Sequence, residues 1–182
     1  MPKNKNSFFK LLTLITISMS LFSCKSIAPQ DYTQNQPKLD IRKYLSGNVK
    51  AWGILEDRSG KITRRFTVDM IGTWNGNKGT LDEKFVFDDG EKSARVWNVE
   101  VKDDNNFEAS AADVVGKAIG KQYGNVIQMA YTLDLEVAKG KRYNVVLDDW
   151  MYLLDEKTLV NKSEIKKFGI TFGKLTIFFK KD

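Results

Sequence analysis

From Lys38 to Asp182 the chain contains no proline, and between short runs of turn-forming residues its apolar residues recur at every second position. This combination constrains the fold more than any other feature. A period of two places alternate side chains on opposite faces of a strand and leaves one face to be buried. Phe66, Val68 and Met70 alternate with Thr67 and Asp69, and Tyr131, Leu133 and Leu135 alternate with Thr132, Asp134 and Glu136. Turns fall at Asp57-Arg58-Ser59-Gly60, Asn75-Gly76-Asn77, Asp88-Asp89-Gly90, Asp103-Asp104-Asn105-Asn106, Ala138-Lys139-Gly140 and Asp155-Glu156-Lys157. Asp, Asn and Gly at such points favour tight hairpins. Long strands joined by short loops predict an all-β fold, an antiparallel up-and-down barrel, with a two-sheet sandwich as the alternative. The alanine-rich stretch Ala109 to Gly124, with Gly116, Gly120 and Gly124 four apart, reads as strand with bends or bulges at a barrel corner. One short helix there is the other reading.

The first residues follow a different rule. Met1 to Lys10 carries Lys3, Lys5 and Lys10 without an acidic residue, and Leu11 to Phe22 has no charge. This is the layout of a secretory signal peptide. The run is too short for a permanent span, which needs roughly 20 apolar residues, and it includes Thr13, Thr16, Ser18 and Ser20. It ends in Leu21-Phe22-Ser23-Cys24, which resembles the lipobox of bacterial lipoproteins, although Phe22 is bulkier than usual there. A thiol suits that position because sulfur, as thiolate, is the nucleophile that accepts a diacylglyceryl group. Cys24 is the only cysteine, so the mature chain is expected to have no disulfide and no thiolate metal site. Two or three acyl chains anchor stably where one does not. Lys25 follows the anchor, and by resemblance to enterobacterial sorting, where an aspartate there retains a protein at the inner membrane, lysine permits transfer to the outer membrane.

The expected organisation is therefore a lipoprotein signal peptide over residues 1–23, a lipidated N-terminus and polar tether over 24–37, and one β-barrel domain over 38–182. Losing the signal peptide removes three of the 29 basic residues and none of the 23 acidic ones, leaving 26 against 23. That near-balance, without a basic stripe interleaved with aromatics, argues against nucleic acid. The chain has no histidine, which excludes Ser-His-Asp triads and histidine metal sites. Asp88-Asp89, Asp103-Asp104 and Asp148-Asp149 are sequence neighbours. On a strand such neighbours point to opposite faces and cannot form a facing acid and base. Asp103-Asp104 also lacks the ligand spacing of a calcium loop. No metal or cofactor is expected.

From Tyr32 onward the chain resembles a family of bacterial lipoproteins defined as domain of unknown function 3833. The matching runs include Val49-Lys50-Ala51-Trp52-Gly53, Arg64-Arg65-Phe66-Thr67-Val68, Phe87-Asp88-Asp89-Gly90-Glu91, Asp148-Asp149-Trp150-Met151-Tyr152 and Lys167-Phe168-Gly169. The resemblance implies a lipocalin- or calycin-like barrel and an association with genes for enzymes that modify fatty acyl chains, such as relatives of cyclopropane fatty acid synthase. The family has no assigned catalytic residues, so none carries over. The chain departs from it chiefly at Val126 to Met129, where the family is more basic and aromatic.

Applied strictly, the alternation puts four charged residues on apolar faces. Arg64 falls in register with Phe66, Val68 and Met70, and Glu83 with Leu81, Phe85 and Phe87. Arg95 aligns with Trp97, Val99 and Val101, and Asp149 with Leu147, Met151 and Leu153. Buried charges cost several kcal/mol unless paired, so these residues pair with one another, await a charged ligand, or take part in catalysis. The ligand reading joins Arg64, Glu83, Arg95, Trp97 and Asp149 in a lipid or fatty acid pocket, with the arginine forks on an anionic head. Trp52, Trp74, Trp97 and Trp150 read first as core and barrel-end aromatics. The expectation is a non-enzymatic, periplasm-facing outer-membrane lipoprotein that binds an apolar ligand. Its alternatives are an enzyme or accessory in acyl-chain modification, with Asp149 or Glu83 as acid or base, and an envelope scaffold.

Overall fold

The structure is a computed structural model and describes residues 26–138 and 140–182. The expected signal peptide, Cys24 and Lys25 lie outside the described residues. Ten strands follow one another: β1 (Gly47–Asp57), β2 (Ile62–Asn75), β3 (Lys78–Phe87), β4 (Lys92–Val101), β5 (Asn106–Ser110), β6 (Val114–Tyr123), β7 (Val126–Ala138), β8 (Lys141–Leu153), β9 (Thr158–Lys167) and β10 (Ile170–Lys181). Each pairs antiparallel with its sequence neighbours, and β10 returns to β1 to close the barrel. Closure leaves no sheet edge unpaired. The sandwich is thereby excluded.

The turn residues act as their chemistry requires. At the β1–β2 hairpin the Asp57 carboxylate accepts from the Ser59 N–H at 2.8 Å and its hydroxyl at 2.6 Å, while Gly60 sits at φ +87°. At β4–β5 the Asp103 carboxylate accepts from the backbone N–H groups of Asn105 and Asn106. The stretch Ala109 to Gly124 is strand rather than helix. β5 and β6 are joined through Ala111 to Asp113, and the register shifts between Val115 and Ile119 around Gly116 at φ +74°.

Helix occurs instead ahead of the barrel. Among the described residues a single 3-10 turn covers Pro29–Tyr32, and one α-helical turn, α1 (Ile41–Tyr44), follows. Leu39, Ile41, Tyr44 and Leu45 are all buried and plug the end of the barrel where β1 begins. Asp40 caps α1 by accepting the Arg42 N–H at 2.8 Å. The Gln122 side chain accepts the Ile41 N–H at 3.1 Å and donates to the Asp104 carbonyl at 2.9 Å. Lys181 Nζ donates to the carbonyls of Lys43, Tyr44 and Ser46 at the C-terminal end of α1, where a cation is favoured.

Part of the polar stretch read as a tether is docked. Pro29 is buried, and the Tyr32 ring lies 5.9 Å from Tyr152 and 6.3 Å from Trp150 on the outer wall. Leu39 donates its N–H to the Gly124 carbonyl at 2.7 Å. Polarity hid this docking because one aromatic and one proline anchor the segment without any apolar period. Among the described residues the hydrophobic core runs from Leu39 to Phe179.

Candidate functional site

The inward face of every long strand contributes to one interior. Opposite the α1 plug the barrel holds a cavity of about 250 Å³, reached past Leu55, Arg64, Phe87 and Leu135. Its upper wall is aromatic: Phe66, Phe85 and Phe87 pack with ring centroids 5.5 to 6.2 Å apart. Its floor is formed by Glu83, Trp97, Met129, Tyr131, Asp149 and Asn161. Below that floor a second space of about 60 Å³ adjoins the plug residues Ile41 and Leu45, and Glu83 and Trp97 border both. Broader hollows of about 420 and 540 Å³ lie on the outer wall, beside Thr80 and Lys117 and beside Trp52 and Phe178. They lack buried ionisable groups, and a ligand site needs enclosure with a few convergent polar groups.

All four charged residues placed inward by alternation line the cavity. They are not equivalent. Arg64, at the mouth, lies 3.7 Å over the Phe87 ring and donates to Asp89 at 2.7 Å and Glu91 at 2.5 Å on the β3–β4 hairpin. Arg95 donates to Asp113 Oδ2 through Nη2 at 2.6 Å and Nε at 3.0 Å. Each arginine thus already has a carboxylate partner, which leaves only part of its guanidinium for the expected anionic head.

Glu83 and Asp149 are 9% and 4% exposed. Glu83 sits opposite Arg95 in the β3–β4 ladder, and the Trp97 indole acts on it as a donor. Asp149 accepts the Tyr131 hydroxyl at 3.2 Å, and Tyr131 packs edge-on against Trp97 at 5.3 Å. Desolvation pushes Glu83 up to about 7 against the pull of Arg95. The same cause pushes Asp149 up to about 6 against hydrogen bonds from Ser163 and Tyr131. One oxygen of each carboxylate, Glu83 Oε2 and Asp149 Oδ1, is buried without a hydrogen-bond partner, a condition that costs about 1–3 kcal/mol per group.

Several members of this site escaped sequence reasoning. Tyr131 was legible as an inward residue but not as a polar one. Asn161 and Ser163 follow Leu159 at every second position of β9 and are buried, so the same alternation contained them. Asp113 lies in a loop, where periodicity carries no information. Of the tryptophans, Trp97 is buried as expected, whereas Trp52 is 46% exposed on the outer wall. Among the described residues, no group of three or more acidic, cysteine or histidine side chains could hold a metal ion.

Solved structures share the architecture. The S-type phycobiliprotein lyase CPES from Guillardia theta superposes with a TM-score of 0.56 at 7% identity, covering 78% of this chain and 90% of that one. A redesigned β-barrel, mFAP1, bound to DFHBI gives a TM-score of 0.40 at 11% identity, over 77% of this chain and 97% of that one. The first likeness is one of fold, a closed antiparallel barrel. No curated protein matches the chain. The family described as "Protein of unknown function (DUF3833)" matches residues 18–181, and the chain belongs to that family.

Proposed function

We propose that this protein is an outer-membrane lipoprotein, lipidated on Cys24 and facing the periplasm, whose barrel binds an apolar or lipid ligand. The observation that carries the binding reading is the enclosed cavity of about 250 Å³, walled by Phe66, Phe85, Leu133 and Ile177 and reached from one end. A scaffold has no need of such a space, since a packed interior serves it better. Apolar side chains around a cavity with few polar groups at its base make a common ligand-site pattern.

Native mass spectrometry of residues 26–182 purified from cells tests the binding reading. The expected spectrum contains a protein–lipid adduct that disappears on delipidation; a spectrum of bare protein alone counts against it. Labelling cells with radioactive palmitate tests the anchor. Label should enter the full chain and be lost in Cys24→Ala.

A second reading, an enzyme or accessory of acyl-chain modification, is favoured by one observation. Glu83, at about 7, lies where a general acid or base works best near neutral pH. Deletion should then change the cellular fatty acid profile, and Glu83→Gln should reproduce that change.

A further inference from the structure

We propose that the cavity floor takes the protonated amine, or an equivalent cationic N–H donor, of an amphiphile whose chain fills the apolar barrel above it. This rests on the reading of the barrel as a ligand site and names the polar end of that ligand.

The interior lacks partners for several buried acceptors. Among the described residues, the buried side-chain atoms without a hydrogen-bond partner are Glu83 Oε2, Asp113 Oδ1, Asn125 Oδ1, Asp149 Oδ1 and Asn161 Oδ1. Every one is an acceptor, and no buried donor is left over. Glu83, Asp149 and Asn161 line the same cavity, and each is at least nine-tenths buried. An ionised carboxylate offers only acceptors, so what satisfies Glu83 and Asp149 together must bring protons.

Charge points the same way. Arg95 is the only cation that faces this floor among the described residues, and it is held by Asp113. Glu83 and Asp149 feel Arg95, and Glu83 also feels Asp113 and Asp149. Three carboxylates therefore share one guanidinium. Arg64 cannot make up the difference, because it lies at the mouth and is engaged by Asp89 and Glu91. A carboxylate or phosphate head would add a further negative charge beside two acids that burial already drives toward protonation. An ammonium would offset them, and its donors match the unpaired oxygens in number. Stripped of water, such charge-assisted hydrogen bonds are among the stronger ones.

The test uses residues 26–182 and three probes of equal chain length, decylamine, decanol and decanoate, titrated calorimetrically at pH 8. Decylamine is expected to bind at least tenfold more tightly than either of the others. Glu83→Gln and Asp149→Asn are each expected to erase most of that preference while decanol binding is kept. The unsubstituted domain supplies a second check that needs no variant. Its affinity for decylamine should fall severalfold between pH 8 and pH 5, as Glu83 and Asp149 take up protons, while that for decanol stays level. Decanoate or decanol binding as tightly as decylamine would overturn the amine assignment and leave the ligand site standing. Failure of all three probes to bind would remove the ligand site itself and the assignment with it.

Discussion

Glu83 and Asp149 carry a cost that the fold tolerates. Each has its pKa raised by burial, to about 7 and about 6, so between the unfolded value and these values the folded chain holds more protons than the unfolded one. Stability contributed by these groups therefore falls as pH rises from about 4 through 7 and levels off above that. For Glu83, a rise from 4.5 to about 7 corresponds to roughly 3 kcal/mol, at 1.36 kcal/mol per unit. Glu83→Gln should accordingly stabilise the ligand-free domain by about 1–3 kcal/mol at pH 8 and by little at pH 4, as measured by urea unfolding at both. Equal effects at the two pH values would show that Glu83 is not ionised in the barrel. Glu83 and Asp149 were legible in the sequence because a charged residue in register with Leu81 and Phe85, or with Leu147 and Met151, stands out. The carboxylate partner of Arg95 was not, since Asp113 meets it only after β5 and β6 are folded together.

At the level of strands and turns, the barrel depends on glycines paired with aromatics across neighbouring strands. Gly53 lies opposite Phe66, Gly79 opposite Trp74 and Gly120 opposite Phe107. In each case the ring covers the glycine, and an added Cβ would sit 2.0 to 2.5 Å from it. This cross-strand arrangement lets large rings lie flat against the wall and protects the bare backbone of the partner strand. Phe107 is fully buried and has little room to withdraw. Gly120→Ala should therefore destabilise the domain by about 1–3 kcal/mol, an overpacking cost, although alanine is ordinarily the better residue within a strand. A melting temperature at or above that of the parent would contradict the pairing. The Asp- and Asn-rich hairpins were visible as turns, and the structure places chain reversals at all of them. Phe168-Gly169, with φ of +51° and +75°, was not, because a phenylalanine in the left-handed region gives no turn signal. Gly116 and Gly120 were visible, but only the pairing of strands distinguishes a bulge from a seat for an aromatic ring.

For the whole molecule, the chain enters at the closed end and the cavity opens at the other. Tyr32 docks on the outer wall near the β6–β7 turn, where its carbonyl lies against Gly124, and Leu39 to Leu45 then plug the barrel. With lipid on Cys24 as proposed, five residue steps separate the anchor from the buried Pro29, a reach of at most about 18 Å. The barrel class was legible from alternation and turn spacing, but whether its interior was filled or hollow was not, since that depends on how ten inward rows of side chains meet. Ligand binding requires that the interior be hollow, which titration of residues 26–182 with the neutral fluorophore N-phenylnaphthylamine checks, beside a Leu133→Trp variant that fills the cavity. Saturable one-to-one binding is expected for the parent, and none for a variant that still melts cooperatively. Binding that survives the filled cavity, or that never saturates in the parent, would contradict a hollow interior.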